Sequence, residues 1–76
     1  MISERLKKVI LKALELEEFP LDDTTIADTV PGWDSLNHAR IIRAVEREYG
    51  VHFTTAEVVR LANVGELQAL LDRKLP

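Results

Sequence analysis

The sequence predicts an all-α fold: a four-helix bundle with a long first loop and a short third helix. Three observations carry that expectation. Apolar residues recur at three- and four-residue spacing in four separate stretches. A Ser, Asp, Thr or Asn suited to capping stands at the start of each stretch. Pro20, Pro31, Gly32 and Gly50 fall between the stretches and not inside them.

The first helix is expected from Ser3 to Leu16, with Ser3 as N-cap. Ile2, Leu6, Val9, Ile10, Ala13 and Leu14 share one face, while Arg5, Lys7, Lys8, Lys12 and Glu15 lie mostly off it. Pro20 forbids continuation. A connection from Glu17 to Asp34 follows, long for so small a chain. Phe19, Leu21, Ile26 and Val30 are expected to pin it to the core. The second helix spans Ser35 to Tyr49, closed by Gly50, with a stripe of Leu36, Ala39, Ile42, Val45 and Tyr49 widened by Ile41 and Ala44. The third begins at Thr54 or Thr55, where Thr54 and Glu57 have capping-box spacing, and carries Val58, Val59 and Leu61. The last starts after Asn63, which stands in the same relation to Glu66, and turns Val64, Leu67, Leu70 and Leu71 inward.

Size and composition narrow the function. A chain of 76 residues is expected to form one domain, residues 1–76, burying roughly 60% of its unfolded surface and too small for a deep, walled active site. With no cysteine there is no disulfide framework, thiolate zinc site or cysteine nucleophile. No apolar run approaches a membrane span and the N-terminus lacks a signal peptide's apolar stretch, so a soluble, cytoplasmic monomer is expected. The net charge of −3 hides an asymmetry: Glu15, Glu17, Glu18, Asp22, Asp23, Asp28 and Asp34 are the only charged residues between positions 15 and 34. That acidic connection opposes nucleic-acid binding, which needs a continuous basic face. It reads either as a solvated loop or as a surface for basic partner enzymes.

Chemistry concentrates at Gly32-Trp33-Asp34-Ser35-Leu36, a tight loop that delivers Ser35 to the first turn of a helix. An anion placed there meets unpaired backbone N–H groups and the positive end of the helix dipole. Asp34 is the better cap, which leaves the Ser35 hydroxyl free and outward. Asp34, Ser35 and His38 have the composition of a catalytic triad. They would share one exposed helix turn, with nothing to build an oxyanion hole or exclude water, so hydrolysis is not expected. His38 and His52 lack a third ligand to complete a metal site. Trp33 is expected to pack the loop on the bundle, or to offer an exposed edge to partners.

These residues resemble a known family. Pro31-Gly32-Trp33 before Asp34-Ser35-Leu36, opening a helix closed by Tyr49-Gly50, looks like the attachment motif of acyl carrier proteins. Val51-His52-Phe53, the Thr-capped short helix and Val64-Gly65-Glu66-Leu67 are similar to that family's closing half, and the match covers essentially the whole chain. The resemblance implies a carrier and not an enzyme. A phosphopantetheinyl transferase would join 4′-phosphopantetheine from coenzyme A to Ser35, with Asp34 as cap and Leu36 as the motif's anchor into the core. The arm's thiol would hold acyl or aminoacyl groups as thioesters and present them in trans to loading and processing enzymes. Ile41, Val45, Val58 and Leu61 would shelter part of an acyl chain.

One feature departs from the family. Carriers of bacterial fatty-acid synthesis usually have a strongly acidic second helix, whereas Asn37, His38, Arg40, Arg43 and Arg47 occupy it here, opposed by Glu46 and Glu48. Charge sets encounter rate and partner choice. Trp33, His38, Arg40 and Arg43 are therefore expected to dock a specialised set of partners, in polyketide, nonribosomal peptide or modified-lipid synthesis. The alternative from another class is a carrier-like interaction module that is never modified.

Overall fold

A computed structural model describes residues 2–75. Helix α1 (Glu4–Ala13) starts where Ser3 Oγ accepts from the Leu6 amide at 3.1 Å, and it buries Leu6, Ile10 and Leu11. It stops three residues before the expected Leu16. Glu15 adopts a left-handed φ of 57°, the Glu15 amide donates to Lys12 O (3.1 Å) and the Leu16 amide to Leu11 O (2.9 Å). This pair of bonds is a Schellman cap, with glutamate where glycine is usual. Reversing the chain there lets Leu14 and Leu16 fold back onto the core.

The long connection is ordered by polar contacts as well as by apolar anchors. Leu21 and Val30 are buried and Phe19 packs against the core, as expected, but Ile26 is 43% exposed. Residues Ala27–Thr29 form a 3₁₀ turn that the sequence did not announce. The Asp22 carboxylate accepts from the Thr24 amide (2.9 Å) and from the hydroxyls of Thr24 and Thr25. Helix N-termini need acceptors, and the loop supplies them to the last helix, α4 (Val64–Lys74). The Val64 amide donates to Thr25 O (2.9 Å) and the Gly65 amide to Asp23 O (3.0 Å).

Helix α2 (Ser35–Tyr49) has the expected bounds, and Gly50 caps it at φ 68°. It packs along α1 through Ile41, Ile42 and Val45. Arg5 ties the pair externally: its Nε donates to Glu48 Oε2 (2.9 Å) and its guanidinium lies 4.4 Å from the centre of the Tyr49 ring.

The apolar stripe expected on α2 needs correction, because Leu36 is 70% exposed and Ala39 is exposed too. Steps of three residues turn only 300°, so the row 45–42–39–36 drifts about 60° per step and ends on the opposite face. The inward row is His38, Ile41, Ile42, Val45 and Tyr49. Leu36 does not anchor the motif in the core.

Helix α3 (Thr55–Val59) carries the full capping box, Glu57 N to Thr54 Oγ1 (3.2 Å) and Thr54 N to Glu57 Oε1 (2.8 Å). Val58 and Leu61 pack inward, whereas Val59 is 74% exposed. In α4, Asn63 Oδ1 accepts from the Glu66 amide (2.8 Å), and Val64, Leu67, Leu70 and Leu71 are all buried. Gln68, the one buried polar residue among those described, takes the Ser3 amide on Oε1 (2.9 Å) and donates to Asp72 Oδ1 (2.8 Å), so α4 also anchors the start of α1.

Candidate functional site

The loop before α2 is built by local rules. Pro31 and Gly32 occupy the central positions of a turn closed by Trp33 N to Val30 O (3.2 Å), and Gly32 has φ 80°. That is the signature of a type II turn, whose third position needs positive φ. Asp34 then caps α2: its Oδ1 accepts from the Asn37 amide at 2.8 Å. Asn37, noted in the sequence only for lacking an acidic charge, reaches back with Nδ2 to Gly32 O at 2.6 Å and fastens the turn to the helix. Its position three residues after the cap was the available signal.

Ser35 is the first residue of α2 and is exposed. Among the described residues nothing hydrogen-bonds its hydroxyl, and the amides of Ser35 and Leu36 are also open. The Asp34 carboxylate is directed at Asn37 and is not activating Ser35. His38 is equally committed elsewhere: Trp33 Nε1–H donates to His38 Nδ1 at 3.0 Å, with ring centroids 6.1 Å apart. An imidazole that accepts at Nδ1 carries its proton at Nε2. The triad composition therefore yields no relay of Ser35, His38 and Asp34. No cluster of potential metal ligands occurs among the described residues.

Other residues expected at the site are redistributed. Trp33 and His38 are half-buried and turned toward the bundle, away from Arg40 and Arg43, so the four do not form one docking patch. Exposed Leu36, Arg40, Arg43 and Arg47 are spaced 4, 3 and 4 apart and make a single stripe opposite the core. Both glutamates that would neutralise that stripe are occupied. Glu46 Oε2 accepts from the Phe53 amide (2.8 Å) and lies 3.2 Å from His52 Nδ1, and Glu48 pairs with Arg5. Arg40, Arg43 and Arg47 have no partner among the described residues.

The expected acyl pocket also needs correction. Ile41 and Val45 are fully buried in the core and border no cavity, while Val58 packs against that core. Leu61 does line one, of about 30 Å³, together with Ala27, Trp33, His38, Val64 and Leu67. Side chains that fill a small bundle's centre leave no void there, and the space falls between the loop and α4 instead.

Residues 4–71 match the family described as "Phosphopantetheine attachment site". The chain belongs to this family, that of the acyl carrier proteins. A holo acyl carrier protein from Geobacter metallireducens, solved by solution NMR, superposes on this carrier with a TM-score of 0.87. The two are 31% identical over 93% of this chain and 82% of the other. No curated protein matches it. The four-helix architecture and the long first loop are those of the family, whose prosthetic group is 4′-phosphopantetheine and whose members carry substrates without catalysing reactions. No helix among this carrier's described residues is long and apolar enough to cross a membrane.

Proposed function

We propose that residues 1–76 act as one carrier unit in which Ser35 Oγ forms the phosphodiester to 4′-phosphopantetheine. The observation that carries this reading is the exposed hydroxyl, free of internal hydrogen bonds, at the first position of a firmly capped helix. The residues fit the group. The open amides of Ser35 and Leu36 and the helix dipole favour an anion at that point. The Asp34 carboxylate, engaged with Asn37, is held on the capping side of the helix end. When bound, the arm supplies a thiol that holds an acyl or aminoacyl group as a thioester. The carrier's own contribution is positional, because a tethered group stays at high effective concentration near each enzyme the carrier docks on.

The partners are a phosphopantetheinyl transferase and loading and processing enzymes acting in trans in the cytoplasm. Leu36, Arg40, Arg43 and Arg47 form the docking stripe, with Leu36 as its apolar end next to Ser35. With Glu46 engaged by the Phe53 amide and Glu48 paired with Arg5, the stripe is net basic and suits enzymes that present acidic surfaces. This favours a specialised biosynthetic pathway over housekeeping fatty-acid synthesis.

Incubation with coenzyme A and a broad-specificity transferase tests the assignment by mass spectrometry. Wild type gains one phosphopantetheine and Ser35→Ala gains none. An unmodified wild type, or equal modification of Ser35→Ala, overturns it.

A further inference from the structure

Two spaces meet at one wall beside Ser35. An open groove runs along Asp28, Asp34 and Ser35, and the cavity of about 30 Å³ lies behind it against Leu61, Val64 and Leu67. Ala27, Trp33 and His38 line both. The bond from Trp33 Nε1–H to His38 Nδ1 (3.0 Å) joins two half-buried rings across this wall. A hydrocarbon chain passing from Ser35 between the rings would break that bond and leave an indole N–H and an imidazole nitrogen facing alkyl groups, which is unfavourable. Behind the wall there is room for about one water-sized group. The groove outside is different: it is more open, and Asp28 and Asp34 give its wall a larger polar share than the cavity has.

We propose that the Trp33–His38 pair determines cargo class. It keeps the cargo in the outer groove and restricts this carrier to short or polar acyl groups, aminoacyl groups included, which travel exposed and not sequestered in the bundle. The inference rests on attachment of the arm at Ser35. Trp33→Phe removes the N–H donor while keeping most of the ring, and His38→Ala removes the other half of the wall.

The experiment loads wild type and both variants with acetyl- or octanoyl-phosphopantetheine, using the corresponding acyl-coenzyme A and a broad-specificity transferase. Loading is verified by mass before any other measurement. In wild type, the methyl NMR resonances of Val64 and Leu67 coincide for the two cargoes, and Trp33, the sole tryptophan, keeps one emission maximum. In folded His38→Ala or Trp33→Phe, octanoyl displaces those methyl resonances and acetyl does not. Octanoyl displacing the methyls in wild type as far as in the variants overturns the proposal, as does no displacement in either folded variant. A wild type that gains no mass overturns the attachment reading and the proposal with it, a failure seen before any spectrum of cargo is recorded.

Discussion

The amide of Gly65 donates to the carbonyl of Asp23 at 3.0 Å, and a Cβ on Gly65 would stand 2.6 Å from that same oxygen. The loop thus packs against α4 at a distance only glycine permits, and in return it satisfies an amide at the helix start. Gly65→Ala must push backbone away from backbone. It is expected to destabilise the fold by about 1–3 kcal/mol, measured by urea denaturation. Amide exchange should quicken selectively at Val64 and Gly65, since the displaced loop no longer caps them.

Glu15 and Gly50 occupy the same left-handed backbone region, at φ 57° and φ 68°, one just past the end of α1 and one just past the end of α2. Only glycine does so without strain from a Cβ. Glu15→Gly is expected to raise the unfolding free energy by about 1 kcal/mol, and Gly50→Ala to lower it by a similar amount. Denaturation midpoints that move in the same direction for both would contradict the shared cause.

Asp34 holds the first turn of α2 through Asn37. Replacing it by alanine should cost about 1 kcal/mol, whereas asparagine, which retains a capping oxygen, should cost only a fraction of that. Thermal melts of the two variants separate the cap from the charge, because both remove the charge and only one removes the cap.

The carboxyl of Glu57 is held below its ordinary pKa, first by the hydrogen bond from Lys74 Nζ (2.8 Å) and next by the Thr54 amide. A lowered carboxyl pKa stabilises the folded state fully above the unfolded value of 4.5, and that contribution is lost as pH falls through the native value. Stability of the wild type should therefore decline on acidification below the unfolded value more steeply than that of Glu57→Gln. Lys74→Met removes the main cause and should also flatten the decline. Urea midpoints followed through the acid range decide it, and parallel curves for all three proteins would refute the link.

Much of this carrier was legible along the chain because its signals are local. Ser3, Asp34, Thr54 and Asn63 each cap the helix expected of them, through a bond to an amide three residues on. Gly50 ends α2 where a positive φ is needed. Caps of this kind act within one turn, so spacing alone identifies them. The Asp34-Ser35-Leu36 motif was likewise readable in place, and the family match bears out the carrier class it implied.

What only the tertiary structure decided depends on which face of each helix meets another element. A row of apolar residues at three-residue steps put Leu36 inward, yet the packing of Ile41, Ile42 and Val45 against α1 turns it outward beside Arg40 and Arg43. Pairings across long separations were equally hidden: Gly65 with Asp23, Gln68 with Ser3, and Glu48 with Arg5. The Trp33–His38 bond spans only five residues, but its meaning as a wall comes from Leu61, Val64 and Leu67 behind it. Sequence determined where the four helices begin, where α2 ends and which serine stands at a helix start. The rotation of each helix, the charge left exposed on α2 and the position of the cavity followed from close packing, in which every side chain's place is set by neighbours from elsewhere in the chain.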